Sequence, residues 1–142
     1  MKVETTRFGT VEVREEDIIA FPEGLLGFAA IKRYTLLPNP TGGPLMWLQA
    51  IDDPKLAFIV CQPQLFKPDY RVQLKPQELA SIELDELADG IVYTVMVVPA
   101  GNPKEMTANL QGPLVINAKQ KVGKQFVLTN VDYGTKFKVF GG

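Results

Sequence analysis

The sequence offers few groups that could carry out acid–base or nucleophilic chemistry. It contains no histidine, so the commonest general base and the commonest transition-metal ligand are both missing. A Ser-His-Asp or Cys-His arrangement, or a zinc site of the ordinary nitrogen and sulfur type, is therefore impossible. The single cysteine, Cys61, lies in an apolar run, and we expect it to be a small buried hydrophobe. An enzyme is disfavoured, although carboxylates or lysines acting alone stay open, and we expect no cofactor.

Two groups of acidic residues could in principle do chemistry. Asp52 and Asp53 are adjacent and precede Pro54, and neighbouring carboxylates can bind Mg²⁺ or Ca²⁺. No regularly spaced oxygen ligands follow them, so we interpret them as turn-forming residues and expect no metal site. Asp69 would be catalytic only beside a suitable partner, and a capping or turn role is favoured.

The stretch 106–117 is the most distinctive in the chain. Asn109 and Gln111 bracket Leu110, and Gly112-Pro113 then introduces an apolar strand. Amide side chains donate and accept hydrogen bonds without titrating, which suits peptide recognition and does not suit acid–base work. They could equally satisfy buried backbone groups at a strand crossing. Both interpretations stay open from the sequence.

Composition indicates an ordinary globular protein. Apolar residues make up 46% and charged residues 22% of 142 residues, so we expect one domain over residues 1–142 with one core. No run approaches the roughly 18 apolar residues of a membrane span, and the N-terminus lacks the apolar region of a signal peptide. With a lone cysteine, these features predict a protein of the reducing cytoplasm that does not contact a membrane.

The net charge of −1 is unevenly distributed. Residues 1–100 hold nine Lys/Arg and fourteen Asp/Glu, and residues 101–142 hold six and two, giving −5 and +4. Nucleic-acid binders are usually basic overall, with Lys/Arg beside aromatic residues. The brief basic stretch of Lys119, Lys121 and Lys124 is interpreted as a solvated hairpin, so direct nucleic-acid binding is disfavoured.

The pattern of apolar residues is mostly that of strands. The candidates are rich in Val, Ile, Tyr, Phe and Thr and are bounded by Pro, Gly, Asn and Asp; they span 10–13, 18–21, 34–37, 45–51, 56–62, 70–74, 91–98, 114–117 and 125–129. One helix is expected to begin at Pro76, run to Ile82 and extend through 85–89, with a second short turn near 28–31. The fold class predicted is mainly β, a single-domain antiparallel β-barrel-like fold with one or two short helices.

Residues 21–28, Phe-Pro-Glu-Gly-Leu-Leu-Gly-Phe, place two glycines and a proline among large apolar side chains. The glycines have no Gly-x-Gly-x-x-Gly spacing and no following Gly-Lys-Ser/Thr, so a phosphate loop is excluded. We interpret the segment as a barrel corner that returns its apolar residues to the core.

These segments together resemble the FliW family of flagellar assembly factors. The resemblance rests on residues 21–28, on Trp47-Leu48-Gln49 with the stretch 53–58, on Pro68-Asp69-Tyr70, on residues 107–117 and on Gln125-Phe126-Val127-Leu128. It covers nearly the whole chain in order, and Thr-Ala-Asn-Leu-Gln-Gly-Pro-Leu-Val-Ile-Asn is its most specific motif.

The resemblance implies a switch between two protein partners. Proteins similar to this bind cytoplasmic flagellin and, when flagellin is depleted, bind the translational regulator CsrA. Bound CsrA is antagonised allosterically and no longer represses translation of flagellin mRNA. The partner-binding candidates combine amides, an adaptable methionine and an apolar floor; they are Leu25, Leu26, Asn102, Met106, Asn109, Leu110, Gln111 and Pro113.

The acidic residues Glu15, Glu16 and Asp17 are candidates for a surface that repels RNA from a bound regulator, because negative potential beside an RNA site disfavours phosphate. Two rival functions stay open. One is a small β-barrel ligand carrier or enzyme, which would need a cavity with convergent polar groups. The other is an RNA-binding barrel, for which only Phe137 and Phe140 beside Lys136 and Lys138 approach the expected pattern; the same alternation fits an edge strand.

Overall fold

The computed structural model describes residues 1–99, 102–129 and 133–140. The strands are β1 (Lys2–Thr5), β2 (Gly9–Glu12), β3 (Ile19–Ala20), β4 (Arg33–Pro38), β5 (Met46–Ala50), β6 (Ala57–Cys61), β7 (Ile91–Val97), β8 (Thr107–Ala108), β9 (Leu114–Asn117), β10 (Val122–Gln125) and β11 (Phe137–Lys138). One α-helix, α1 (Pro76–Ala80), is present in these ranges, with 3-10 turns at Glu15–Asp17, Pro63–Leu65, Leu87–Asp89 and Pro103–Glu105.

Seven strands close into a barrel in the order β7-β6-β5-β4-β3-β10-β9, because β9 pairs back onto β7. The first residues of β7, Ile91 to Tyr93, pair with β9, and Thr94 to Met96 pair with β6. All pairs in the ring are antiparallel except β3 with β10. Closure leaves no edge within the ring. The last part of β7 also pairs with β8, and β8 pairs with β11, which forms an edge.

Large side chains from several strands fill the barrel. Phe21, Tyr34, Leu48, Val60 and Leu114 are completely buried, and the rings of the first two meet edge to face at 5.4 Å. Each such side chain contributes about 1.5–3 kcal/mol by leaving water. The β1–β2 hairpin adds a smaller apolar cluster, which contains Val3, Val13 and Ile51. The predicted mainly β, barrel-like fold is confirmed.

Several local predictions are also confirmed. β5 and β6 form a hairpin whose turn holds the adjacent acids, and the Asp53 carboxylate accepts the Lys55 N–H at 3.0 Å. Cys61 is buried, and burial raises the pKa of its thiol. Trp47 is only partly buried; the Arg7 guanidinium lies 4.0 Å from its ring centroid, and the Phe8 and Trp47 rings meet edge to face.

Two predicted strands and part of a predicted helix are wrong. Residues 70–74 alternate between inward and outward side chains but join no strand ladder, and of the predicted strand 125–129 only Gln125 lies in a strand, at the end of β10. The helix ends at Ala80, and a separate 3-10 turn forms at Leu87–Asp89. The reason is local, because Glu83 has φ 60° in the left-handed region, which a continuing helix cannot accommodate.

Candidate partner-binding surface

The chain turns a tight corner at residues 21–28, directly after β3. The Gly24 N–H donates to the Phe21 carbonyl at 2.8 Å, and the Phe28 N–H donates to the Leu25 carbonyl at 2.7 Å. Gly24 has φ +65°, and a Cβ added there would lie 2.6 Å from the Phe28 carbonyl oxygen. Only glycine fits this position. The corner therefore buries the Leu25 side chain in the core and leaves the Leu26 side chain 62% exposed.

Gln125, at the end of β10, ties this corner to a segment far away in the sequence. Its side-chain oxygen accepts the Leu26 N–H at 2.9 Å, and its side-chain nitrogen donates to the Gly112 carbonyl at 2.9 Å. An ion pair between Lys124 and Glu23, 2.7 Å apart, supports the same contact. Two regions about 85 residues apart are thus fixed to each other by a single amide.

The segment 109–113 uses its backbone groups internally. The Asn109 side-chain oxygen accepts the N–H groups of Gln111 at 3.1 Å and Gly112 at 3.0 Å. The Leu110 carbonyl accepts the Tyr70 hydroxyl at 2.7 Å, and the Gln111 carbonyl accepts the Leu128 N–H at 2.8 Å. Of the two interpretations left open by the sequence, Asn109 clearly satisfies backbone groups, as an Asx turn does. The segment is consequently held in one conformation.

These contacts define a corner surface made of Leu26, Phe28, Asn109, Gln111 and Gln125. Leu26 is exposed, Phe28 is exposed at its rim while its ring packs on Phe58 at 5.3 Å, and Asn109 and Gln111 are partly exposed. Gln125 and Phe28 were not among the sequence candidates. No local spacing marks Gln125, because its partners lie 99 and 13 residues away.

Four of the candidates cannot contact a partner through their side chains in this conformation. Leu25, Met106, Leu110 and Pro113 are buried. Leu110, only 1% exposed, packs in a cluster with Tyr70 and Leu128. Because side chains alternate between inside and outside along these stretches, the apolar residues lie in the core and their polar neighbours lie at the surface. For the exposed candidates, Leu26 and Asn102, and the partly exposed Asn109 and Gln111, partner binding stays a prediction.

Met106 belongs to a different part of the surface from Leu26. It lines an apolar groove of about 410 Å³, here called the C-terminal groove, with Leu45, Leu65, Met96 and Phe140. Leu65 and Phe140 are exposed at this groove, whereas Met106 lies at its buried side. The expected single site therefore divides into two, one at the corner and one beside β8. Asn102 is not among the residues that line this groove, and its side-chain oxygen accepts the Lys104 N–H at 3.2 Å.

The acidic candidates form the 3-10 turn Glu15–Asp17. Arg14 bonds to the Asp17 carboxylate at 3.1 Å and pairs with Glu16 at 3.2 Å. The hydrogen bond that the Arg14 guanidinium donates to the Asp17 carboxylate raises the pKa of Arg14 above its ordinary value. The cluster is therefore less negative than the sequence suggested, because one cation lies among its three carboxylates, and Glu15 is the acid that Arg14 does not pair with.

Asp69, considered above as a catalytic candidate, forms a surface ion pair. The Lys67 ammonium lies 3.1 Å from the Asp69 carboxylate, and this hydrogen bond lowers the pKa of Asp69, which keeps the carboxylate ionised. In the described ranges, no three potential metal ligands among Cys, Asp and Glu come together. No helix in those ranges is long and apolar enough to span a membrane.

Phe137 stacks on Phe66 at 6.0 Å in edge strand β11, as the edge-strand interpretation predicts.

The fold and this surface define a small protein built on a closed, seven-stranded β-barrel. A family model described as FliW protein matches residues 2–139, and the chain therefore belongs to the FliW family. It is 41% identical over 140 residues to the flagellar assembly factor FliW of Natranaerobius thermophilus, covering 99% of this chain and 93% of that protein. It is 44% identical over 137 residues to the protein of that name from Alkaliphilus metalliredigens, covering 96% and 84%.

A solved structure agrees with this assignment. The crystal structure of the flagellar assembly factor FliW superposes with a TM-score of 0.92 at 34% identity, over 100% of this chain and 99% of that one. The resemblance inferred from the sequence motifs is thereby confirmed, and the whole described barrel is the fold of the family.

Proposed function

We propose that this chain is a cytoplasmic flagellar assembly factor that binds flagellin and, once released from it, binds the translational regulator CsrA. Bound CsrA is antagonised allosterically, so that translation of flagellin mRNA is no longer repressed. The chain performs no catalysis in this scheme. Membership of the FliW family supports the proposal, and the corner surface supplies a physical basis for protein binding.

The observation that carries the proposal is the exposure of Leu26 on a corner whose backbone is fixed. A leucine that is 62% exposed yet anchored through its own N–H at 2.9 Å loses little conformational freedom when a partner covers it. Gln125 joins the Leu26 backbone to Gly112, which is bonded to Asn109 and follows Gln111, so the partly exposed amides of those two residues belong to the same corner. An apolar centre with a polar rim is the usual anatomy of a protein interface.

Both partners use the corner surface in this proposal. A shared surface makes binding mutually exclusive, which is what a switch between flagellin and CsrA requires. The proposed recognition element is an amphipathic helix of each partner, whose apolar face covers Leu26 and Phe28.

The experiment that tests the proposal is copurification with flagellin and with CsrA, separately and together, at micromolar concentration. Leu26→Ala should weaken both complexes by about five- to thirtyfold, because truncating a central anchor costs about 1–2 kcal/mol. Leu65→Ala is the matched control, since this leucine is 64% exposed but lies at the C-terminal groove. Equal affinities for wild type and Leu26→Ala would remove the corner surface from the proposal, and no complex with either partner would refute it entirely.

The acidic turn supplies a second part of the proposal, the exclusion of RNA from bound CsrA. Reversing the charges of Glu15, Glu16 and Asp17 to lysine should preserve CsrA binding and weaken RNA exclusion at low salt. The single reversal Glu15→Lys should give much of the effect, because Arg14 already pairs with the other two acids. Unchanged exclusion of RNA by the triple variant would refute this role for the turn.

A further inference from the structure

Two extended segments of the molecule have the side-chain pattern of strands but belong to no sheet. In residues 71–75 the side chains alternate between exposed and half-buried, with Val72 and Leu74 turned inward. In residues 126–129 Phe126 and Leu128 are buried, and Val127 and Thr129 are exposed. The inward side chains pack in two of the hydrophobic clusters. Packing therefore holds both segments as extended chain, and in the second segment isolated backbone hydrogen bonds add to it without forming an assigned ladder.

The hydrogen bonds of the second segment reveal which way its free backbone groups point. The Phe126 N–H donates to the Pro113 carbonyl at 3.0 Å, and the Leu128 N–H donates to the Gln111 carbonyl at 2.8 Å. Successive peptide groups of an extended chain face opposite sides, so the backbone groups of Val127 and Thr129 face away from residues 111–113. In the described part of the chain, the N–H groups of these two residues have no partner.

An open groove of about 420 Å³ lies between the two segments. Its walls are residues 127–129 on one side and Gln73, Leu74 and Lys75 on the other, with Glu78 beside them. On this second wall the Arg71 N–H donates to the Tyr133 hydroxyl and the Lys75 N–H to the Glu78 carboxylate. Between them, the N–H groups of residues 72–74 bond to nothing in the ranges that the structure covers. Among the residues that the structure describes, both walls thus offer backbone N–H groups without partners.

Of the two charged side chains that line the groove, only that of Glu78 is engaged by another group among the described residues. The Glu78 carboxylate is engaged with the Lys75 backbone at 2.9 Å, where it caps the start of α1. The Lys75 ammonium, by contrast, forms no ion pair with any described residue. An occupant with a carboxylate opposite Lys75 would complement this wall.

We propose that this strand groove, formed by Gln73, Leu74, Lys75, Glu78, Val127 and Thr129, binds an extended acidic segment of a partner protein as an added β-strand. Backbone hydrogen bonds to Val127 and Thr129 supply affinity, and Lys75 selects a segment with a carboxylate. The groove is continuous with the corner surface, because the chain that forms its wall begins at Gln125 and bonds to Gln111 through Leu128. One partner can therefore cover the corner with its folded part and fill the groove with an extended part.

The test uses a display library of random twelve-residue peptides selected on the full chain, so that it does not depend on flagellin or CsrA. Enriched peptides should be acidic, and NMR of their complexes should show cross-strand contacts to Val127 and Thr129. Amide hydrogen exchange at those two residues should slow by at least about tenfold in the complex.

Three variants separate a backbone contact from a side-chain contact. Val127→Pro removes the N–H that faces the groove and should weaken peptide binding by about tenfold or more. Val127→Ala keeps that N–H and should weaken binding by less than about threefold. Lys75→Gln should weaken acidic peptides at low salt and leave neutral ones unchanged. The exchange measurement on the wild-type complex decides the question if Val127→Pro does not fold.

Three outcomes would overturn the proposal: no enriched peptide, enriched peptides that bind as helices, or unchanged exchange at Val127 and Thr129 in every complex. The proposed function fails separately, if the wild-type chain binds neither flagellin nor CsrA while peptides still add to the groove.

Discussion

The corner surface and the strand groove present opposite kinds of recognition on one barrel. At the corner the backbone groups around Leu26 form hydrogen bonds within the chain, so a partner contacts a side chain that is held in a fixed position. At the groove the inward side chains are buried or half-buried, so a partner contacts the backbone itself. A pre-organised side chain recognises the shape of a partner, whereas an open strand edge recognises an extended backbone, with Lys75 adding a preference for a carboxylate. The two surfaces therefore demand different features from the same partner.

The largest expected effect comes from breaking the corner at Gly24. In Gly24→Ala the new Cβ would lie 2.6 Å from the Phe28 carbonyl oxygen and 2.7 Å from the Ala29 Cα, at a positive φ. Because neither backbone atom can yield cheaply, we expect a loss of more than about 4 kcal/mol in the free energy of unfolding, measured by urea denaturation. Gly27→Ala is the matched control, since Gly27 also has positive φ but nothing lies within 4 Å of its Cβ position.

Gly27→Ala should lower the free energy of unfolding by only about 1–2 kcal/mol, the cost of placing a residue with a Cβ at positive φ. Equal losses of stability in the two variants would mean that the corner is not rigid at Gly24. The contrast between a rigid corner surface and an open strand groove would then have no support.

Leu110 tests whether the segment beside the corner is core or contact surface. Leu110→Ala should reduce the free energy of unfolding by about 2–5 kcal/mol, because it leaves a cavity at a side chain that is 1% exposed. Leu26→Ala should change stability by less than about 0.5 kcal/mol while weakening partner binding. A stable Leu110→Ala variant with weakened binding would instead favour the original expectation that Leu110 contacts the partner.

The sequence predicts the barrel well, because apolar alternation and turn residues determine strands such as β5 and β6 locally. It does not predict which extended segments find ladder partners. Residues 70–74 and 126–129 have the composition of strands, but the ring closes from β9 onto β7 without them. The corner surface could be predicted only in part, for a related reason. Leu26 and Gln111 are local motif residues, whereas Gln125 acquires its role from contacts across the fold.

Substitution of two tyrosines, one beside the groove and one inside the barrel, should change stability by smaller amounts that can be compared with each other. Tyr70, beside the groove, donates its buried hydroxyl to the Leu110 carbonyl at 2.7 Å. Tyr70→Phe should lower the free energy of unfolding by about 1–3 kcal/mol, because that carbonyl is left unsatisfied in the core. The hydroxyl of Tyr34, in the barrel, has no hydrogen-bond partner in the described ranges.

Tyr34→Phe should therefore be neutral or stabilising by up to about 1 kcal/mol. Thermal denaturation of the two variants and of the wild type measures these changes in stability. Equal destabilisation by both substitutions would show that the two hydroxyls are equally well satisfied.

The smallest expected effect is a pH dependence that originates in the barrel core. Burial, with a contribution from the Asp53 carboxylate, raises the pKa of Tyr34 to about 12, whereas the unfolded chain should ionise this phenol near 10. Between these values the folded state keeps a proton that the unfolded state has lost, so stability falls as the pH rises above about 10. Burial also raises the pKa of Tyr70 and of Tyr93, which adds to the loss in the same direction. Urea midpoints at pH 9, 10 and 11 should therefore fall less steeply for Tyr34→Phe than for wild type. Parallel curves would contradict a buried, neutral Tyr34, and with it the account of a barrel core that holds the corner surface rigid.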